Sequence, residues 1–147
     1  MNRIISALLL VSLCLTGCLM GQGRTELSRQ TDVFGAELFS GVDYREIDGV
    51  QGVDETCLKG YERSFDSLDI IIGYGFDNKI RKITTRNAHT SLFGLSPGIT
   101  AAEGRRLAEQ AGLTAVSAKS FYGEEISLKL LVDEKDTVFG VTLERLD

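Results

Sequence analysis

The chain of 147 residues has few of the residues from which catalytic and metal sites are built. It contains one histidine, three cysteines, one proline and no tryptophan. A zinc site needs about three or four His, Cys or carboxylate ligands, and His89 alone supplies little of that. A cysteine nucleophile usually needs a basic partner, yet His89 lies far from Cys57 in the sequence. We therefore expect no metal, no cofactor and no catalytic residue.

Positive charge is also scarce. The formal net charge is −5, with 16 Lys and Arg against 21 Asp and Glu. A chain with net negative charge binds nucleic acid and anionic lipid headgroups poorly, so no nucleic-acid partner is predicted. The 43% hydrophobic and 25% charged content is that of a globular protein and argues against disorder.

The N-terminus has the pattern of a secretory signal. Arg3 precedes an apolar run over residues 4–15, which is shorter than the about 20 residues that span a bilayer. The run ends in Leu15-Thr16-Gly17-Cys18, which resembles the lipobox of bacterial lipoproteins. The resemblance implies transfer of a diacylglyceryl group to the Cys18 thiol, cleavage before Cys18, and palmitate among the attached acyl chains. The membrane would then be a partner through this lipid anchor.

This interpretation divides the chain into three parts. Residues 1–17 are the signal peptide, residues 18–32 a lipid-anchored tether, and residues 33–147 a single domain. A flexible tether of this length reaches roughly 20 Å. The domain is expected at the extracytoplasmic face of the cell membrane, or at the outer membrane of a bacterium that has two. Leu19 is not the aspartate of the usual inner-membrane retention signal.

Cleavage and acylation leave Cys57 as the only free cysteine, so the mature chain has no intramolecular disulfide. Cys57 can be a buried small hydrophobic residue, an intermolecular bridge or a reactive thiol. The buried role is favoured because free cysteines are among the most buried residues.

The best-defined element is a helix. Thr100 and Glu103 form a capping box, in which each side chain bonds the backbone amide of the other residue. Gly112 occupies the C′ position, where a glycine commonly ends a helix. Small and apolar residues then form one stripe of the helix: Gly104, Leu107, Ala108 and Ala111.

Strands are indicated on both sides of the helix. Apolar residues alternate over residues 70–76, which indicates a strand. A turn follows at 77–79, and residues 80–85 are expected to form the second, antiparallel strand of a hairpin. Three strands are expected after the helix. The first covers residues 114–121, and the other two place these side chains on one face: Leu128, Leu130 and Val132, then Phe139, Val141 and Leu143.

The fold class is therefore predicted as α+β, with an antiparallel sheet in the order strand, helix and three-strand meander. The hairpins at residues 71–84 and 128–142 are alike in sequence, which raises the hypothesis of two related halves. No firm prediction is made for residues 33–65.

A second resemblance covers residues 93–145. Gly98-Ile99-Thr100 with Glu103 and Gly112, followed by the meander, resembles the repeat of lipoproteins related to the outer-membrane assembly factor SmpA/OmlA. It also resembles the repeat of β-lactamase-inhibitor proteins. The resemblance implies a protein-binding module and not an enzyme.

Two charged segments carry the remaining functional hypotheses. Residues 43–55 are rich in Asp and Glu but lack the ligand spacing of a calcium loop, so a solvated acidic loop is expected. The basic cluster is expected to protect an edge strand, or alternatively to bind anionic polymer or lipid headgroups. It comprises Lys79, Arg81, Lys82 and Arg86.

These observations favour a non-enzymatic, membrane-anchored accessory or protein-interaction module of the cell envelope, with an envelope protein as its partner. The alternative is a small cell-envelope hydrolase that uses a pair of carboxylates from residues 43–55.

Overall fold

The computed structural model describes residues 31–147. The signal peptide, Cys18 and most of the tether lie outside the described residues. Residues 31 and 32, which the sequence assigned to the tether, form a short strand. In the described part, no helix is both long and apolar enough to cross a membrane.

Over residues 31–147 the fold contains twelve strands and one α-helix. A 3-10 turn, Asp66–Leu68, separates β5 from β6. The elements in chain order are β1 (Thr31–Asp32), β2 (Glu46–Ile47), β3 (Val50–Gln51), β4 (Val53–Cys57), β5 (Gly60–Phe65), β6 (Ile70–Tyr74), β7 (Ile80–Thr85), β8 (Ser91–Leu92), α1 (Ala101–Gln110), β9 (Thr114–Ala115), β10 (Ser120–Tyr122), β11 (Ile126–Val132) and β12 (Val138–Arg145).

Eight strands form one antiparallel sheet in the order β4-β5-β6-β7-β12-β11-β10-β9. The sheet thus consists of two runs of four sequential strands, joined where β7 pairs with β12. Two further pairs, β1 with β8 and β2 with β3, form small separate sheets. The predicted α+β class with an antiparallel sheet is consistent with this architecture, which is richer in strand than expected.

The strands that follow the helix differ from the prediction. Residues 114–121 are not one strand, because β9 and β10 pair with each other as a hairpin. Phe139 does not face the core either, since a bulge between β11 and β12 shifts the register there. Val138 takes the buried position, while Phe139 is 44% exposed.

Local sequence explains where α1 begins and ends. The Thr100 hydroxyl accepts a hydrogen bond from the Glu103 amide at 3.2 Å, which satisfies one free amide of the first turn. The Glu103 carboxylate instead binds Arg106, so the reciprocal half of the capping box is replaced by an ion pair. Gly112 follows the helix with a φ of +88°, the left-handed conformation expected at C′.

The core lies on one face of the large sheet. The helix contributes Ala108, and a Cβ placed on Gly104 would lie 2.9 Å from Leu130 Cδ1, so α1 packs very close to the sheet. The segment that follows β1 contributes Val33 and Ala36 to the core. The largest buried side chains of the sheet on this face are Phe65, Ile70, Ile72, Tyr74, Ile80, Ile83, Phe121, Ile126, Leu128 and Leu130.

The β6–β7 and β11–β12 hairpins have the same turn. In each, the amide of the first of five turn residues donates to the carbonyl of the fifth, at 2.9 Å from Gly75 to Lys79 and 3.0 Å from Asp133 to Thr137. The fourth residue has a positive φ in both turns: Asn78 at 57° and Asp136 at 62°.

The same two hairpins also carry matching bulges. The register shifts between Gly73 and Tyr74 in one hairpin and between Leu131 and Val132 in the other. The extra residue on the second strand is Arg81 in the first hairpin and Phe139 in the second. Equal turns and equal bulges make the two hairpins geometrically alike.

A third match precedes each four-strand run in the sequence. Phe34 and Gly35 have φ values of 50° and 76°, and Phe93 and Gly94 have 55° and 75°. These turns adjoin β1 and β8, which pair with each other. The helix has no counterpart in the described part of the first half, where the β2–β3 hairpin occupies the corresponding stretch of chain.

Candidate functional site

One face of the large sheet is left uncovered by the described part of the chain. The helix and both small sheets supply core residues to the opposite face, including Ala108, Ile47 and Leu92. The uncovered face carries partly exposed polar and apolar side chains, among them Lys129 and the 42% exposed Tyr122. An accessible face of this kind is available for contact with another molecule.

A charged cluster lies on this face at the bulge of β7. The Arg81 side chain is only 5% exposed, and its two terminal nitrogens each lie 3.1 Å from a carboxylate oxygen, of Glu144 and of Glu62. Lys82 also bonds Glu62. Lys59 extends the cluster to Asp147 at 3.3 Å. These charges span four adjacent strands of the sheet, from β5 to β12.

Gly73 allows Arg81 to lie flat against the sheet. A Cβ at Gly73 would lie 3.4 Å from Arg81 Cζ, so the guanidinium packs over the bare backbone there. Arg81 Nε is buried without a hydrogen-bond partner among the described residues. The expected edge-strand role of the basic cluster is wrong, because β7 is a central strand and Arg81 is a buried ion-pair partner.

The charge of Glu62 is stabilised within this cluster. Burial raises the pKa of Glu62, but the hydrogen bond and charge of Lys82, with those of Arg81, outweigh it and lower the pKa. Glu62 is therefore ionised at neutral pH. Glu62 is thus a negative charge held between Arg81 and Lys82.

Cys57 adjoins the same cluster. Its thiol sulfur accepts a hydrogen bond of 3.1 Å from Arg81 Nη2, and its side chain is partly exposed at the end of β4. The sequence favoured a buried, inert cysteine. The difference arises because β4 is an edge strand, with a neighbour in the sheet on one side only among the described residues.

On the opposite face, two residues of the acidic segment hold a buried arginine. Arg63 is 3% exposed and bonds Asp54 through two nitrogens, with Nη2 to Oδ2 at 2.9 Å. Its Nη1 also binds Asp43 and the carbonyl of Tyr44, the latter at 2.8 Å. Asp43 and Asp54 keep the exposure expected of a solvated acidic segment, with side chains 41% and 51% exposed, but both also pair with Arg63, and Asp54 lies on β4 and not in a loop.

The guanidinium also lies over two aromatic rings. Tyr61 and Tyr74 stack with centroids 4.8 Å apart, and Arg63 Cζ is 5.5 Å from each centroid. The Tyr74 hydroxyl accepts a hydrogen bond of 3.0 Å from the Tyr44 amide. This cluster closes the core in the first half, where the described residues include no α-helix.

The two carboxylates of this cluster are held ionised. Hydrogen bonds from Arg63 lower the pKa of Asp43 and of Asp54, against a smaller effect of burial. A general acid of a hydrolase needs the opposite shift. Asp43 and Asp54 are therefore arranged as counter-ions of Arg63.

The other residues singled out from the sequence lie apart from both clusters. Glu46 hydrogen-bonds Gln51 within the β2–β3 hairpin, Asp48 sits in its turn, and Glu55 is exposed on β4. His89 is exposed, with its amide bonded to Asn87. Across residues 31–147, no group of three or more His, Cys, Asp or Glu side chains could hold a metal ion.

Sequence reasoning missed Arg63. An arginine flanked at alternate positions by Tyr61 and Phe65 in a β-prone segment is a signal for a buried cation, but its partners come from distant residues.

Comparisons of the chain with protein-family models, with curated protein sequences and with solved structures found no match.

Proposed function

We propose that this protein is a lipid-anchored accessory module of the bacterial cell envelope that binds a protein partner and performs no chemistry of its own. The observation that carries this proposal is the uncovered face of the eight-stranded sheet. Its exposed side chains include Tyr122, Lys129 and Phe139, and the same face carries the charged cluster around Arg81. A preformed surface of this kind loses little conformational entropy on binding.

The anchor is supported by the N-terminal sequence. The run over residues 4–15 and the motif Leu15-Thr16-Gly17-Cys18 have the order of a lipoprotein signal. Acyl chains contribute about 0.8 kcal/mol per buried CH₂, which gives stable attachment when two or three chains are present. We therefore place the domain at the extracytoplasmic surface of a membrane.

The likeness between the two hairpins supports two related halves and, with them, the proposed relation to SmpA/OmlA or β-lactamase-inhibitor repeats. The matching turns, matching bulges and paired Phe-Gly turns are the basis of this inference. Such repeats imply protein binding, which agrees with the uncovered face. In this proposal, the Arg63 cluster of the first half takes the place that helix α1 has in the second half.

A photo-crosslinking amino acid on the uncovered face tests the proposed binding surface. Lys129 lies on that face, opposite Thr142, and is exposed, whereas Arg105 is exposed on the helix. We expect a discrete crosslinked protein from position 129 in intact cells and none from position 105. Equal products at both positions would count against the surface. Turnover of an envelope substrate, lost in Asp43→Asn, would support the hydrolase alternative.

The anchor has an independent test. Cys18→Ser should leave the precursor uncleaved or release the protein from the membrane fraction, because the thiol that accepts the lipid is gone. Fractionation and mass spectrometry of the N-terminus measure both results. A variant that is cleaved and membrane-bound as before would contradict lipidation at this residue.

A further inference from the structure

Two apolar side chains project from one end of the sheet. Leu58 is 99% exposed at the tip of the β4–β5 turn, and Phe76 is 81% exposed at the tip of the β6–β7 turn. The two turns are close in space, since a Cβ at Gly60 would lie 3.0 Å from the carbonyl carbon of Gly75. We call this end, residues 57–60 and 75–79, the hairpin end.

The turn geometry does not require Phe76. The β11–β12 turn has the same hydrogen bonds and the same positive φ, yet it carries Glu134 where the β6–β7 turn carries Phe76. The antiparallel order places that second turn at the opposite end of the sheet. The two ends therefore present an aromatic and an acidic residue on the same backbone.

Cations accompany the apolar tips. Lys59 and Lys79 are both exposed beside Leu58 and Phe76. Lys59 is itself ion-paired with Asp147 at 3.3 Å and with Glu144 at 3.8 Å, and Asp77 is paired with Arg145 at 2.8 Å. Lysine side chains can extend along an apolar surface and keep their ammonium groups in the polar layer above it.

We propose that the hairpin end rests on the lipid bilayer, with Leu58 and Phe76 inserted at the boundary between headgroups and acyl chains. This inference rests on the proposed lipid anchor, which supplies lasting attachment. The two side chains supply orientation, because they fix which end of the sheet meets the membrane. The strands then run away from the bilayer, and the uncovered face points sideways into the envelope.

A lipid surface fits these tips better than a protein does. An exposed aromatic side chain offers on the order of 150 Å² of area. A standard protein interface buries about 800 Å² on each partner, far more than two isolated tips provide. A bilayer needs no complementary shape, and shallow insertion of apolar side chains gives weak, reversible binding. The tether, with a reach of roughly 20 Å, keeps the domain near the membrane.

Tryptophan fluorescence provides a direct test, because the chain contains no tryptophan. Phe76→Trp places the probe at the hairpin end, and Glu134→Trp places it in the matching turn at the other end. The full-length lipoprotein carrying either probe is reconstituted into vesicles of phosphatidylethanolamine and phosphatidylglycerol. For Phe76→Trp we expect a blue shift of the emission and its quenching by lipids brominated near the headgroup. The emission of Glu134→Trp should stay at the wavelength of a solvated indole.

Leu58→Glu in the Phe76→Trp background should reduce both the shift and the quenching, since the adjacent tip then repels the apolar layer. A Phe76→Trp emission that vesicles leave unchanged overturns the proposal, as does an equal shift of both probes. Flotation of the vesicles measures attachment through the lipid anchor separately. If the protein floats but the emission of the probe at the hairpin end is unshifted, the result supports the lipid anchor and contradicts membrane insertion of the hairpin end. If the protein does not float but the emission shifts with excess vesicles, the result supports insertion and contradicts the anchor.

Discussion

The hydroxyls of Thr84 and Thr142 share a hydrogen bond of 2.9 Å across the pairing of β7 with β12. These residues lie directly opposite each other where the two four-strand runs meet in the large sheet. Thr84 is 7% exposed, so its hydroxyl has little access to water. The junction of the sheet is thus joined by side chains as well as by the backbone.

The effects of substitutions at this junction on the free energy of unfolding should be non-additive. Thr84→Val or Thr142→Val alone leaves one poorly hydrated hydroxyl without its partner and should cost about 1–2 kcal/mol of unfolding free energy. The double variant removes both hydroxyls and should be less destabilised than the sum of the single variants. Urea unfolding of the four proteins measures the coupling, and strictly additive losses would show that the hydrogen bond does not contribute.

Gly60→Ala should be strongly destabilising. Gly60 has a φ of +136°, and an added Cβ would collide with the carbonyl oxygen of Tyr74. Together, the strain and the collision should cost more than about 2 kcal/mol. Gly41→Ala is the matched control, because nothing lies within 4 Å of the added carbon and its φ is outside the left-handed region. Thermal unfolding compares the two, and similar melting temperatures would refute the close approach at Gly60.

Stability should fall in acid through the Arg63 cluster. The pKa of Asp43 and of Asp54 is lowered in the folded state, so the unfolded chain binds protons first. Their contribution is complete above the ordinary pKa of about 4 and is lost as the pH falls below it. Urea unfolding at several pH values down to about 2 measures this dependence.

Arg63→Met is the control for that dependence. It removes the group that lowers both pKa values and should cost about 2 kcal/mol at neutral pH, the scale of hydrogen bonds to charged groups. Most of the acid dependence that arises from Asp43 and Asp54 should also disappear, although Arg45 keeps its ion pair with Asp43 at 2.8 Å. An unchanged pH profile in this variant would assign the acid sensitivity to other carboxylates.

Thr100→Ala should weaken the start of α1. The Thr100 hydroxyl accepts the Glu103 amide hydrogen bond, and loss of such a cap costs about 1 kcal/mol. Thr100→Ser keeps the hydroxyl and should retain most of the stability. If both variants unfold at the same urea concentration, the cap contributes nothing to the fold.

The sequence predicted the elements that depend on local patterns. Thr100 and Gly112 mark the ends of α1, and alternating apolar residues define the β6–β7 hairpin. What local patterns could not reveal is which distant strands become neighbours. The basic residues of β7 were interpreted as edge charges because β12, which covers that edge, is more than fifty residues further along the chain. The Arg63 cluster was hidden for the same reason, since Asp43 lies twenty residues before it.

The pairing of β7 with β12 also bears on how the chain folds. Within each four-strand run every pairing joins consecutive strands, so those contacts are local in sequence and close short loops. The junction joins residues 82–85 to residues 141–144, with the whole of α1 and β9–β11 between them. We therefore expect the first run to form early and to present β7 as an open strand edge until β12 is in place. Closure of that edge, rather than formation of either run, should be the slow event in folding.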